Sequence, residues 1–212
     1  MRRVIKIGGS LMERLLCDCT PLSVWLTAQT PATNLIITGG GVWADAVREL
    51  YRRGATTDES AHWLAIRAMQ LTSSLLGALQ PTWRTDPGWM SHLDCGSCRT
   101  AEGRVNDALH NANYLLDPHQ FMREIEPQAP GERLIVGWQV TSDSIAARLA
   151  EVIDADELVL LKSCRPADRV FSHDLATTSS GYNWQHLASV GYVDEWFPRA
   201  ASRVRSIRIA VL

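Results

Sequence analysis

Apolar positions along the chain fall into two kinds of run. Val4–Ile7, Leu35–Thr38, Leu134–Val136, Leu158–Leu161 and Ile207–Leu212 are short and nearly continuous. That is the pattern of strands buried on both faces. Between them the period is helical. Leu11 to Gln29 reads as helix, broken near Pro21, and Val42–Arg52 places Val42, Ala46, Val47 and Leu50 on one face. The clearest helix carries Ala61, Leu64, Ala65, Ala68, Leu71, Leu75, Leu76 and Leu79 at helical spacing. Thr57 or Asp58 is placed to cap it, and Pro81 closes it. Further helices are predicted near Pro118–Ile125 and over Ser142–Ile153, the latter with Ile145, Leu149 and Val152 inward.

Short buried strands alternating with amphipathic helices predict an α/β fold, a three-layer α/β/α sandwich with a mainly parallel central sheet. Residues 81 to 103 contain Pro81, Pro87, Gly88, Gly96 and Gly103 and read as a long irregular excursion. Residues 163 to 183 are also loop-rich. Without an internal repeat or linker, the 212 residues read as a single domain.

Composition narrows the function classes. With 46% apolar residues, 21% charged residues and a formal charge of −2, the chain has globular values. Nothing in that balance pulls toward nucleic acid or an acidic membrane surface. No apolar run approaches the roughly 18 residues of a membrane span. After Arg2 and Arg3, Lys6 and Gly8-Gly9 interrupt the apolar stretch that a signal peptide requires. A cytoplasmic location is expected. The odd count of five cysteines then argues for free thiols. Eight tryptophans suggest a well-packed core and a homo-oligomer interface.

Two glycine clusters carry the first chemical signal. Gly8-Gly9 and Gly39-Gly40-Gly41 each follow a predicted strand and precede a predicted helix. Bare backbone N–H groups at a helix N-terminus attract phosphate through hydrogen bonds and the helix dipole. Glycine lets the anion approach. The chain has no G-x-x-x-x-G-K-[ST] and no G-x-G-x-x-G, so neither a P-loop nor a dinucleotide fingerprint is indicated.

The lysines carry the second. Of the 21 basic residues only Lys6 and Lys162 are lysine. A chain that favours arginine so strongly keeps lysine where a compact ammonium differs from a planar fork. Lys6 lies two residues before Gly8, and Lys162 ends the strand Leu158–Leu161. Both fall at the strand edge where open α/β sheets bind ligands. Lys6 is read either as a strand-end lysine reaching solvent or as a cation facing a transferred phosphoryl group. Asp143 opens the helix that precedes Lys162. It is read either as a first-turn carboxylate at a helix N-terminus or as a carboxylate holding both lysines.

These segments are Val4-Ile5-Lys6-Ile7-Gly8-Gly9-Ser10-Leu11, Ile36-Ile37-Thr38-Gly39-Gly40-Gly41 with Ala44-Asp45, and Thr141–Ala150. In order and spacing they resemble the amino acid kinase family, over most of the first 162 residues. The resemblance implies a three-layer α/β/α fold and transfer of the γ-phosphate of ATP, with Mg²⁺ brought by the nucleotide, to a small-molecule acceptor. It implies an acceptor half of roughly 1–135 and a shortened nucleotide half of roughly 136–212. By that likeness Lys6, Asp143 and Lys162 are the catalytic set. Gly8, Gly9, Ser10, Ser163 and Asp168 would hold nucleotide phosphates, and Gly39, Gly40, Gly41, Asp45, His62 and Ser142 would face the acceptor. Within the family, His62-Trp63-Leu64-Ala65-Ile66, Thr141-Ser142-Asp143-Ser144 and the Leu158–Lys162 strand look most like a short branch tied to methanofuran-type one-carbon-carrier biosynthesis. That branch implies a phosphate-monoester acceptor such as an aminomethylfuran-methyl phosphate.

Two departures stand beside the resemblance. Lys162-Ser163-Cys164-Arg165-Pro166-Ala167-Asp168-Arg169-Val170 occupies the place of a T-D-x-x-G-[VI] segment, and no G-G-M-x-x-K element exists. Either Lys162 takes over from the second catalytic lysine, or the chain is a non-catalytic member that binds an anion or metabolite or serves as an assembly subunit. His62 and Trp63 read either as helix-face packing or as an acceptor-pocket wall. Cys95-Gly96-Ser97-Cys98 with His92 is a lone C-x-x-C, and Cys17-Asp18-Cys19 is a poor partner for a zinc site.

Overall fold

The computed structural model describes residues 1–85, 111–166 and 181–212. Its centre is a five-stranded sheet, parallel throughout: β1 (Arg2–Ile7), β2 (Thr33–Thr38), β3 (Asn113–Leu115), β4 (Glu157–Lys162) and β5 (Ile207–Val211). The spatial order is β3-β2-β1-β4-β5. The chain therefore builds outward from β1 to β3, then returns to β1's other side for β4. A switch point of this kind leaves a crevice beyond the strands' C-terminal ends.

Alternation along β1 decides which residues face which helices. Val4 joins a cluster with Leu35, Ile37, Leu158, Leu160 and the apolar residues of α6 (Ser142–Val152). Ile5 and Ile7 point the other way, against Leu11, Met12 and Leu15 of α1 (Gly9–Cys17) and Leu22 of α2 (Thr20–Thr27). These strand side chains are almost fully buried, each contributing about 1.5–3 kcal/mol through burial. Lys6 shares the Val4 face, so its stem runs toward α6. The sequence expectation of one helix broken near Pro21 becomes α1 and α2, with the break at Asp18-Cys19 and Pro21 in the first turn of α2.

The helical residues between β2 and β3 depart further from expectation. α3 (Gly41–Arg52) buries none of its side chains fully, and the expected inward residues Val42, Ala46 and Leu50 are exposed. Thr57 caps α4 (Asp58–Leu79), accepting from the Ser60 backbone N–H at 3.2 Å. The face α4 buries is Ala61, His62, Ile66, Ala68, Met69, Thr72, Ser73 and Leu76, whereas Leu64, Leu71, Leu75 and Leu79 are exposed. Thr72 and Ser73 belong inside because their hydroxyls bind the carbonyls of Gly39 and Leu116 at 2.9 and 2.8 Å. Hydrophobic periodicity alone ranked the leucines above them.

Leu134–Val136 is not a strand. Ile135 and Val136 are exposed, and the Leu134 N–H donates to the Glu126 carboxylate at 2.9 Å rather than to a sheet. The position beside β2 belongs instead to β3, which the sequence reading missed. Pro118–Ile125 is helical as expected: α5 (Pro118–Gln120) continues through a π-helical turn over Phe121–Ile125. Two unforeseen short helices, α7 (Trp184–Ser189) and α8 (Phe197–Ala201), cover the α6 side of the sheet. α6 is therefore buried from Ser142 to Ala150 rather than along a stripe. Its Arg148 is tolerated there because Glu126 and Glu151 pair with it at 3.3 and 2.8 Å. No described helix is long and apolar enough to cross a membrane.

Candidate active site

A cleft of about 420 Å³ opens at the C-terminal edge of β1, β2 and β4. β1 and β4 are neighbours in register, and the Gly8 N–H extends their ladder by donating to the Leu161 carbonyl at 2.8 Å. That contact sets Lys6 and Lys162, distant in sequence, on adjacent strands at one edge.

Between the two ammoniums lies Asp143, in the first turn of α6. Lys6 Nζ is 2.8 Å from its Oδ1, and Lys162 Nζ is 3.0 Å from both oxygens. Lys162 also donates to the Tyr192 carbonyl at 2.8 Å. All three side chains are largely withdrawn from solvent. Burial would raise the Asp143 carboxyl, but the charges of Lys6 and then Lys162 override it, and the net direction is down. Burial, aided by the like charge of Lys6, brings the Lys162 ammonium down to about 8 against the pull of Asp143.

The helix start that presents Asp143 is fixed from outside. Thr141 occupies the N-cap, yet its side chain makes no capping bond into α6. Asp194 does this work from the loop between α7 and α8. Its carboxylate accepts from the Thr141 N–H at 3.0 Å, the Thr141 hydroxyl at 2.8 Å and the Ser144 N–H at 2.9 Å, and also from the Ser144 hydroxyl. Burial and the nearby Asp143 charge push the Asp194 carboxyl upward, against these bonds.

The glycine turns meet face to face. A Cβ on Gly39 would stand 2.6 Å from the Gly9 nitrogen, and one on Gly9 would stand 2.9 Å from the Gly41 nitrogen. Gly41 has φ +54°, a conformation that favours glycine. Helices α1 and α3 begin here with Gly8 and Gly40 as N-caps and no capping side chain. Two uncapped helix starts and two ammoniums form a donor set suited to phosphate oxygens. The set suits a protein-held metal poorly, because Asp143 is already saturated by lysines. Among the described residues no group of three or more His, Cys, Asp or Glu could hold a metal ion.

The cleft is lined by Lys6, Gly8, Gly9, Ser10, Gly39, Gly40, Gly41, Asp45, His62, Ser142, Asp143, Lys162 and Ser163, all singled out in the sequence. Ser10 and Ser163 hydroxyls meet at 2.9 Å, and exposed Asp45 pairs with Arg48. Asp168 lies outside the described residues, as do His92, Cys95 and Cys98. Cys17, Cys19 and Cys164 are free thiols. Sequence reasoning missed Trp138, Tyr192 and Asp194, and named Thr141 only as part of a segment, without a role of its own. Tyr192 reaches Lys162 through its backbone carbonyl, which no side-chain pattern announces. Asp194 sits in a loop that acquires meaning only when α6 arrives beside it.

Comparison with known proteins agrees with this architecture. The sequence model described as the amino acid kinase family matches residues 1–166. The structure is similar to that of a uridylate kinase from Archaeoglobus fulgidus (TM-score 0.58, 18% identity, covering 100% of this chain and 90% of that one). It is also similar to a UMP kinase from Ureaplasma parvum (TM-score 0.58, 13% identity, covering 100% and 89%). At these identities the likeness shows the fold. No curated protein matches the chain in sequence.

Proposed function

The chain belongs to the amino acid kinase family, and from that premise we propose that it is an ATP- and Mg²⁺-dependent kinase of a small acceptor, a phosphate monoester. The single observation that carries this reading is the Lys6–Asp143–Lys162 cluster between two glycine turns. Phosphoryl transfer depends mostly on positioning and on neutralising charge. Lys6 and Lys162 supply two fixed positive charges, and Asp143 keeps them from repelling each other apart. Gly8, Gly9, Ser10 and Ser163 would hold the nucleotide's phosphates. Gly39, Gly40, Gly41, Ser142, Asp45 and His62 would face the acceptor. Mg²⁺, carried on the nucleotide phosphates, would add further charge neutralisation. The resemblance of the His62–Ile66 run and the Leu158–Lys162 strand to the methanofuran-linked branch supports an aminomethylfuran-methyl phosphate as acceptor. The uncovered apolar side chains Val42, Leu50, Leu64 and Leu71 support self-association as a homo-oligomer, which light scattering reads directly.

Lys6→Ala tests the assignment. Removing one fixed charge at the transferring phosphoryl should lower kcat by about 10²–10³-fold. Unchanged turnover would exclude the assignment. A second reading, a non-catalytic member that binds an anion or metabolite, is favoured by the lack of any lysine after Lys162. Mg-ATP should raise the melting temperature if the kinase reading holds; no rise with Mg-ATP, together with a rise in phosphate, would favour the second reading.

A further inference from the structure

His62 is 2% exposed, lines the cleft, and has one ring nitrogen with no partner. Its Nδ1 lies 3.0 Å from the Gly137 carbonyl oxygen. A carbonyl only accepts, so Nδ1 carries the hydrogen. Burial lowers the imidazole's pKa, more than Gly137 and Asp58 raise it, so the ring is neutral near pH 7. Neutral imidazole has one N–H, and it is already used. Nε2 is therefore a bare lone pair, buried and unsatisfied.

Such a group is costly to bury without a partner. The tautomer is held by the fold, because the Gly137 carbonyl sits in a turn where it also accepts from the Val140 N–H at 3.2 Å. His62 also shares its helix face with Ala65, Ile66 and Met69, which line the cleft on the same side as the Gly39–Gly41 turn. Beside Gly137, the Trp138 indole N–H is a second buried polar group without a partner in that wall. One bare acceptor and one bare donor thus belong to two residues that line the same cleft.

We propose that His62 is a specificity-determining residue whose Nε2 accepts a hydrogen bond from an N–H or O–H group on the acceptor substrate. The acceptor is then a phosphate ester whose organic part carries a hydrogen-bond donor, with an oxygen available for Trp138. A purely hydrocarbon ester would leave Nε2 unpaired. This rests on the kinase reading only for its view of which end of the cleft takes the acceptor.

The test compares three phosphate esters of one shape: 4-ethylbenzyl phosphate, 4-(aminomethyl)benzyl phosphate and 4-(hydroxymethyl)benzyl phosphate. Their Kd values are measured by calorimetry without nucleotide, on the full chain and on His62→Phe. In the unaltered protein at least one donor-bearing ester should bind about tenfold tighter than 4-ethylbenzyl phosphate, equivalent to about 1.4 kcal/mol. The amine and hydroxyl arms show which donor is preferred. In His62→Phe the ratio should fall to about one. Equal affinity of all three esters in the unaltered protein, no binding of any, or a ratio that survives His62→Phe each overturns the proposal. Side-chain ¹⁵N spectra of the unaltered protein need no variant. The His62 Nε2 resonance should be that of an unprotonated nitrogen and should move with the preferred ester but not with 4-ethylbenzyl phosphate; a proton on Nε2 in the free protein overturns the proposal. Mg-ATP binding is followed separately, so its failure removes the kinase reading while leaving the ester comparison intact.

Discussion

Asp143 receives the ammonium of Lys6 on one carboxylate oxygen and the ammonium of Lys162 across both, at 2.8 and 3.0 Å. Two buried like charges are thus held at one sheet edge by a single countercharge. Asp143→Asn keeps the shape and removes that charge. Breaking a buried pair in this way costs about 3–5 kcal/mol. The variant should melt well below the unaltered protein in phosphate-free buffer, and inorganic phosphate should restore part of the loss by replacing the missing anion. An unchanged melting temperature would mean that the lysines do not depend on Asp143.

Activity and stability should respond to pH in opposite directions. The Lys162 ammonium is brought to about 8, first by burial and then by Lys6. The free-enzyme kcat/KM should therefore fall as pH rises past about 8, with an apparent value that belongs to the Lys6–Asp143–Lys162 unit. The ordinary value, 10.5, describes the unfolded chain. Between the two, the unfolded chain holds more protons, so Lys162 makes stability rise with pH across that window. Lys162→Met should remove that rise, which thermal unfolding across pH 8 to 10.5 measures. An alkaline limb near the ordinary lysine value would contradict the assignment.

Asp194 should matter to α6 as much as any residue within it. Its carboxylate takes two backbone N–H groups and two hydroxyls at the helix start. Asp194→Ala should cost about 2 kcal/mol, since buried donors lose their acceptor. Asp194→Asn should cost less, because one amide oxygen can still accept. Denaturant unfolding ranks the two, and equal stability of all three proteins would refute the capping role.

Gly39→Ala tests the meeting of the two glycine turns. The added Cβ would stand 2.6 Å from the Gly9 nitrogen, which cannot move without shifting α1. Overpacking of this kind costs about 1–3 kcal/mol, and Mg-ATP affinity should drop with it. Gly54→Ala meets no atom within 4 Å, lies away from the cleft, and is strained only in its own backbone, at φ +71°. It should keep nucleotide affinity, as calorimetry on both variants would register.

What the sequence determined by itself was the alternation of buried strands and helices and the identity of the residues that line the cleft. Continuous apolar runs ending in glycine are local patterns, and a chain with two lysines marks both by their rarity. Lys6, Gly8, Gly9, the Gly39–Gly41 turn and Lys162 were legible for that reason, Asp143 by its place at a helix start before Lys162 and by the family resemblance, and all line one cleft. Only the tertiary structure decided which faces were inside. Leu71 and Leu75 lie outward while Thr72 and Ser73 lie inward, because their hydroxyls have carbonyl partners that come from other parts of the chain. β3 needed the edge of β2 to exist, and the exposed Leu134–Val136 segment had no such edge to join. Asp194 and the Tyr192 carbonyl acquire their roles from α6 and β4 arriving beside them. Local periodicity records how a segment divides apolar from polar positions, but the partner of a buried polar group is chosen by packing across the whole fold.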